Sequence, residues 1–460
     1  LLKAGEAEAL FSKTLATIRR DAPIGFKLPE KVWKETFDVK VAEKVFTEYG
    51  FKSLLARLHN VKGGFAQDGK SEPPNEAHEA KAYSPKEAIA AWLLNSEDMD
   101  PEPEKSQDEL EAELKKIGKL WEVYEKIELP LIPILKKQNE RGMLIDVKKM
   151  EGLSEISHKD LSKLESEIYK LAGREFNINS PKQLGEVLFD ELKLTAKGLK
   201  KTAGGARSTR ESELLKLKDT HAIIPAILKQ RELQKLLSTY IDAIPKLVAP
   251  DGRLHTTLNQ MGAATGRFSS IDPNLQNIPA GTGLAEEIRR TFVATPGFEL
   301  LAFDYSQIEM RVLALLSGDE VLTEIFKTGA DVHTSVASRV FRVAEKDVTK
   351  EMRRRAKVIN FGIIYGMGVN ALRANLGSSR EEAALFYENY FVTFPKIKNY
   401  FDNVVSDATA KGYTETFFGR RRQFPGLKSK VLFIRASAER MAMNAPLQGT
   451  AADIVKLAMI

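Results

Sequence analysis

"MRRRAKVINFGIIYGMG", residues 352–368, opens as a knot of cations, passes through an apolar middle and ends on a ring flanked by glycines. At helical spacing Arg353, Lys357, Phe361 and Tyr365 stand four apart, so they form one slowly winding stripe, two cations followed by two rings. At the helical rise the stripe runs about 18 Å, the span of a nucleoside triphosphate with its phosphates at one end and its base at the other. Other readings of the same residues are a solvated face, plain core for the two rings, or a basic amphipathic helix lying on DNA or lipid. Gly362 and Gly366 interrupt the segment, which counts against a membrane-surface helix and suits close packing or movement during closure.

The 460 residues suffice for several domains, and a composition 43% hydrophobic and 29% charged is ordinary globular material. The net charge of +6 conceals a segregation: residues 96–114 hold nine acids against one lysine, leaving +14 for the remainder. A basic body favours a polyanionic partner, most simply nucleic acid. With no cysteine there is neither a disulfide framework nor a thiolate metal site, which fits a reducing cytoplasm. No secretory signal and no apolar run of bilayer-spanning length is present, so no membrane partner is expected. The chain begins "LLKAGEAEAL" without methionine and closes "GTAADIVKLAMI" inside a helical pattern, and it reads as an internal fragment.

Short helices are expected over 1–58. Residues 59–112, rich in Gly, Pro, Ser and charge, read as a linker around one short helix, "EAIAAWLLN". Long helical periodicity resumes near 119, and between two such helices lies the basic loop "KKTAGGARSTRE", suited to phosphates or simply a surface turn. Strand signals begin at 254, and the apolar run "FELLAFDYS" predicts a buried strand ending on an acid. Helices then fill most of 306–460, broken at "GYTETFFGRRRQFPG", a hairpin-like excursion with a cationic tip.

Asp304, where that apolar run meets a turn, is placed as a magnesium ligand must be, although it is equally suited to cap the helix that follows. The loop "TGRFSSIDPNLQNIP" offers Arg267, Asn274, Gln276 and Asn277 between prolines, side chains that can read minor-groove acceptors without choosing a sequence. His333, near a helix start, is either structural or a phosphate contact.

Together these stretches resemble the bacterial DNA polymerase I group, the family A DNA polymerases. "LLAFDYSQIEMRVLALLSGD" resembles the first palm motif, "RRRAKVINFGIIYG" the fingers motif and "ATGRFSSIDPNLQNIP" the template-primer motif, with "STYIDAIPKL", "FFGRRR" and "NAPLQGTAADIVKLAM" in agreement. The resemblance covers nearly all of 119–460. It also reaches "KTLATIRRDAPIGF", which is similar to the tail of a 5′ nuclease region. It implies a helix-rich α+β right hand: palm over 119–150, 249–312 and 446–460, thumb over 151–248 and fingers over 313–445. A nuclease tail over 1–58 and a linker or reduced exonuclease-like remnant over 59–118 would precede it.

The implied chemistry is two-metal nucleotidyl transfer from a dNTP to a primer 3′-OH on a DNA template, by a bacterial cytoplasmic enzyme of the nucleoid, expected to be a monomer. Asp304 and the Tyr305 carbonyl would hold Mg2+, two ions in the intact enzyme. Arg353 and Lys357 would grip the triphosphate, with Lys357 a proton donor to pyrophosphate, and Gln307, Ile308 and His333 nearby. Phe361 would lie against base and sugar, Tyr365 would occupy the templating position, and Glu309 would block a 2′-hydroxyl. Arg267, Asn274, Gln276, Asn277, Asn444 and Gln448 would contact primer-template. Lys235, Tyr240 and the loop Arg207, Ser208, Thr209 would grip the duplex from the thumb, with Arg420 and Arg421 as further DNA contacts.

Two departures qualify the match. The second palm motif, with its His-Asp-Glu cluster, is expected beyond Ile460, so this piece alone is expected to be weak or inactive. The stretch 59–112 is too short for a proofreading domain, and no 3′-to-5′ exonuclease activity is expected. Competing readings are a single-subunit RNA polymerase and a non-catalytic duplex-binding protein on a polymerase scaffold.

Overall fold

The computed structural model describes residues 41–42 and 83–460, apart from 197 and 203. Contacts divide the chain at 81/82, and the architecture below is that of the second unit, Ala82–Ile460. The expected nuclease tail at 1–58 and the first part of the expected linker lie outside the described residues, except for 41–42.

The acidic stretch is no linker over its described part. Helices α1 (Pro85–Leu94) and α2 (Gln107–Lys116) each begin with a serine capping box, Ser84 with Glu87 and Ser106 with Glu109. Leu110 and Leu114, four apart, turn inward to bury with Trp92, while the acids at 108, 109, 111 and 113 stay off that stripe. Charge count reads as solvation, yet a helix needs only one apolar face to dock. Next, α3 (Lys119–Val123) passes through a π-helical turn, Tyr124–Glu128, into α4 (Leu129–Arg141), and Tyr124, Ile127 and Leu131 complete the same core.

Strand β1 (Met143–Ile145) is the centre of a three-stranded antiparallel sheet with β2 (Arg253–Leu254) and β5 (Phe292–Val293), pairing Met143 with Leu254 and Leu144 with Val293. Between β1 and β2 come α5 (Val147–Ala172), α6 (Pro181–Gly185), α7 (Glu211–Leu214), α8 (Ile223–Leu236) and α9 (Ile244–Leu247). Helix α5 starts on an Asp146 cap and packs along α8, and Ile168, Leu188, Leu217 and Ile227 belong to the core of this helical lobe. A hairpin of β3 (Thr257–Asn259) and β4 (Ser269–Ile271) and helix α10 (Leu284–Arg289) precede β5.

The predicted strand at "FELLAFDYS" is not formed. Residues 298–305 form no regular element and join no sheet among the described residues, and Phe303 is 93% exposed. An apolar run becomes a strand only where a neighbouring edge takes up its backbone groups, and the described sheet ends at β5.

Helices α11 (Ile308–Ser317), α12 (Glu320–Lys327), α13 (Val332–Phe341), α14 (Lys350–Ile364), α15 (Val369–Leu376), α16 (Arg380–Thr393) and α17 (Pro395–Lys411) enclose a large core of Leu313, Val336, Ile359, Ile363, Tyr390 and Phe394. The expected hairpin is present as β6 (Tyr413–Glu415) and β7 (Arg421–Gln423), followed by the 28-residue α18 (Leu432–Met459). No described helix is long and apolar enough to cross a membrane.

Candidate functional site

Helix α14 carries the opening stripe. Thr349 caps its N-terminus by accepting from the Met352 amide, and Ala356, Ile359, Asn360, Ile363 and Ile364 bury one side. The opposite side presents Arg353 and Lys357 exposed, Phe361 half-buried and Tyr365 exposed, in the expected order. Gly366, at φ +65°, turns the chain directly after Tyr365, where a Cβ would sit 3.0 Å from the Arg440 Cγ. Lys357, Phe361, Gly362, Tyr365 and Met367 line an open pocket of about 320 Å³.

The two cations differ in commitment. Arg353 forks onto Asp331, Nε at 3.0 Å and Nη2 at 2.8 Å, and this guanidinium holds the Asp331 carboxyl well below the usual range. The same carboxylate caps α13 through the Thr334 amide at 2.8 Å. Lys357 makes no ion pair or hydrogen bond among the described residues, so its ammonium is available to an arriving anion.

At the ring end a short polar chain joins three segments distant in sequence. The Tyr365 hydroxyl donates to Glu309 Oε2 at 3.2 Å, and Arg267 pairs with the other oxygen of the same carboxylate. Burial, then the Glu309 charge, pushes the Tyr365 phenol up. Asn444 donates to the Ile364 carbonyl at 3.1 Å, and with Gln448 it lines a second pocket of about 330 Å³ that also touches Tyr365. Ile308, half-buried, packs on the α11–α17 core, and Gln307 enters α11 in a left-handed conformation, φ +55°.

Asp304 is exposed in the turn before α11 and makes no hydrogen bond or ion pair among the described residues. No group of three or more His, Asp or Glu that could hold a metal occurs among them. One carboxylate and the Tyr305 carbonyl fall short of the ligand set a divalent ion needs, so the described residues do not complete a metal site.

Several expected contacts are corrected by burial. Arg420 does not present a cationic tip: it is 2% exposed and folded inward onto Glu128 and Asp453, because the hairpin loop packs against the π-turn and α18. Arg421, half-buried, stacks over Tyr413 at 4.2 Å and pairs with Glu415 at 3.3 Å. Tyr240 is buried with its hydroxyl given to the Asn277 carbonyl, so it positions the 274–277 loop. Ser208 and Thr209 are buried too, the Thr209 carbonyl accepting from Arg231, which leaves Arg207 exposed on the rim of a separate cleft of about 810 Å³. Asn274 Oδ1 accepts from the Gln276 backbone amide and Gln276 Nε2 donates to the Phe268 carbonyl, but both residues are exposed, as are Asn277 and Lys235.

His333 is buried, its Nδ1 3.0 Å from the Asn360 amide and its ring 5.8 Å from Phe361. Burial lowers its pKa, so it is neutral at neutral pH. Its NMR ring signals are therefore expected to titrate with a midpoint below 6.5; a midpoint above 6.5 would contradict this packing. Asp331 and Asn360 are the residues that sequence reading missed. The Asp331 cap is visible in "DVHT", but its partner Arg353 is 22 residues away and is brought there only by packing of α13 on α14.

The model of DNA polymerase family A matches residues 147–460. The chain is 49% identical over 342 residues to a thermostable DNA polymerase I of Thermus filiformis, covering 74% of this chain and 41% of that protein. It is 45% identical over 419 residues to DNA polymerase I of Geobacillus stearothermophilus, covering 89% and 46%. Among solved structures it is similar to the polymerase domain of Pol1 from M. smegmatis in complex with DNA primer-template and dNTP, with a TM-score of 0.73 at 38% identity, covering 81% of this chain and 70% of that one. The chain thus spans less than half the length of these two curated relatives.

Proposed function

The chain belongs to the family A DNA polymerases, and from that premise we propose that it extends a primer 3′-OH on a DNA template with dNTPs. The observation that carries this reading is the chain Arg267–Glu309–Tyr365 at the ring end of the α14 stripe: the template-primer, first palm and fingers motifs meet where the base of a nucleotide would lie. Phosphates would then lie at Lys357 and Arg353, the latter exchanging Asp331 for the triphosphate, and Phe361 would bear on base and sugar. Glu309 would stand against a 2′-hydroxyl. Arg267, Asn277 and Gln448 would meet the duplex, with Lys235 and Arg207 reaching it from the helical lobe at 151–248, the proposed thumb.

In this reading 249–312 is palm and 313–445 fingers. Family A polymerases use divalent metal ions, and Asp304 with the Tyr305 carbonyl is proposed as one side of a Mg2+ site. The open metal site keeps a second reading alive, a duplex-binding protein without catalysis. Asp304→Ala in the full-length protein separates them. A polymerase loses incorporation by about a thousandfold or more and keeps its primer-template affinity; unchanged activity of wild type and variant, or none in either, would defeat the enzymatic reading.

A further inference from the structure

The buried cluster of Glu128, Arg420, Asp453 and Lys456 packs against the segment that carries Arg267 and holds it through Gln260, Gly266 and Phe268. Gln260 Nε2 donates to Glu128 Oε2 at 2.7 Å. Gly266, at φ +82°, lies directly on the Arg420 guanidinium, where a Cβ would stand 2.7 Å from Nε and 3.0 Å from Cζ. The Phe268 ring lies 5.1 Å from the Lys456 ammonium. Helix α18 meets the same loop at Gly449, where a Cβ would come within 3.3 Å of the Thr265 carbonyl oxygen.

The residues on either side of Arg267 are thus seated on the two buried cations. Arg267 itself is left exposed and paired with Glu309, whose other oxygen accepts from Tyr365. The Arg420 fork is fixed in turn, Nε on Asp453 at 2.8 Å and Nη2 on Glu128 and Asp453, with the Trp92 ring centred 5.3 Å from its Cζ. Apolar side chains of similar volume commonly fill such a core without loss of stability; what paired charges add is a single geometry, since every donor must meet its acceptor.

We propose that Arg420 and Lys456 are positioning residues: their cluster fixes the 260–268 segment and, through Arg267, holds the Glu309 carboxylate against the nucleotide sugar. This rests on the polymerase reading and deepens it, extending sugar selection from Glu309 to a seat in the core. The test is single-nucleotide incorporation by the full-length protein with a dNTP and with the matching rNTP, compared as the ratio of their kcat/KM values. Loss of folded protein lowers both alike and leaves the ratio unchanged. Gly266→Ala, which drives a methyl into the guanidinium, and Arg420→Lys, which keeps the charge but not the fork, are each expected to lower the preference for dNTP about five- to tenfold. Arg267→Ala is expected to lower it at least as far, and adding Gly266→Ala to that variant is expected to change nothing more. If Arg420→Lys does not fold, Gly266→Ala carries the test alone. A ratio within about twofold of wild type in Gly266→Ala, a full second loss in the double variant, or a wild type without sugar preference overturns the seat and leaves the polymerase reading standing. A wild type that incorporates neither nucleotide overturns both.

Discussion

Replacing Lys357 with methionine in the full-length protein is expected to lower the rate of nucleotide incorporation about 100- to 1000-fold, with primer-template affinity held within about twofold. Methionine preserves helix propensity and the apolar stem, and removes only the ammonium. Of the two cations on the stripe, this one has no partner to leave: Arg353 is clamped by Asp331, whereas Lys357 stands free over the pocket shared with Phe361 and Tyr365. A free ammonium at the phosphate end acts on charge that grows as pyrophosphate departs, so the loss belongs in the rate more than in binding. Single-turnover incorporation with a saturating dNTP measures it. Primer-template affinity falling tenfold at unchanged rate would instead make α14 a basic helix lying on DNA.

Stability should respond most to Glu128. In the core under the β6–β7 hairpin, its Oε1 accepts from the Lys456 Nζ at 2.7 Å and from Arg420, and its Oε2 accepts from Gln260 at 2.7 Å. Asp453 completes the cluster on the Arg420 Nε at 2.8 Å, and all four charged residues are nearly or fully inaccessible to water. Burial works against the Glu128 charge, but Lys456 and Arg420 hold its carboxyl below the usual range, while burial pushes the Lys456 amine down to about 8. Glu128→Ala strands the buried Lys456 ammonium and leaves Arg420 with Asp453 alone, and it is expected to cost about 3–5 kcal/mol, read as a lower denaturant midpoint.

The pH dependence has a definite sign. Losing the carboxylate depresses the folded-state pKa of Lys456 further, so folded Lys456 holds fewer protons than unfolded Lys456 over a wider range. Measured against wild type, the penalty therefore shrinks as pH rises toward about 8, where folded wild-type Lys456 also loses its proton, and levels off above it. The paired change Glu128→Met with Lys456→Met should recover most of the loss, since Arg420 keeps Asp453. A single-variant midpoint shifted by less than the equivalent of 1 kcal/mol would show the cluster to be wet or loosely formed.

What the amino-acid order determined by itself is local. Spacing of four residues put Arg353, Lys357, Phe361 and Tyr365 on one side of a helix and sent Ile359 and Ile363 to the other, and the structure keeps that arrangement. The hairpin near 413–423 and the helical run after 306 were likewise legible, because turn chemistry and apolar period act over a few residues.

Contacts between distant segments were not legible. Asp331 on Arg353, Glu309 between Arg267 and Tyr365, and Arg420 turned inward to Glu128, 292 residues away, exist only once helices and hairpin have packed. A cation reads the same in sequence whether it faces DNA or a buried carboxylate. Burial decides between them, because desolvating a charge is tolerable only beside its counter-charge, and which charges meet is set by the packing of whole elements.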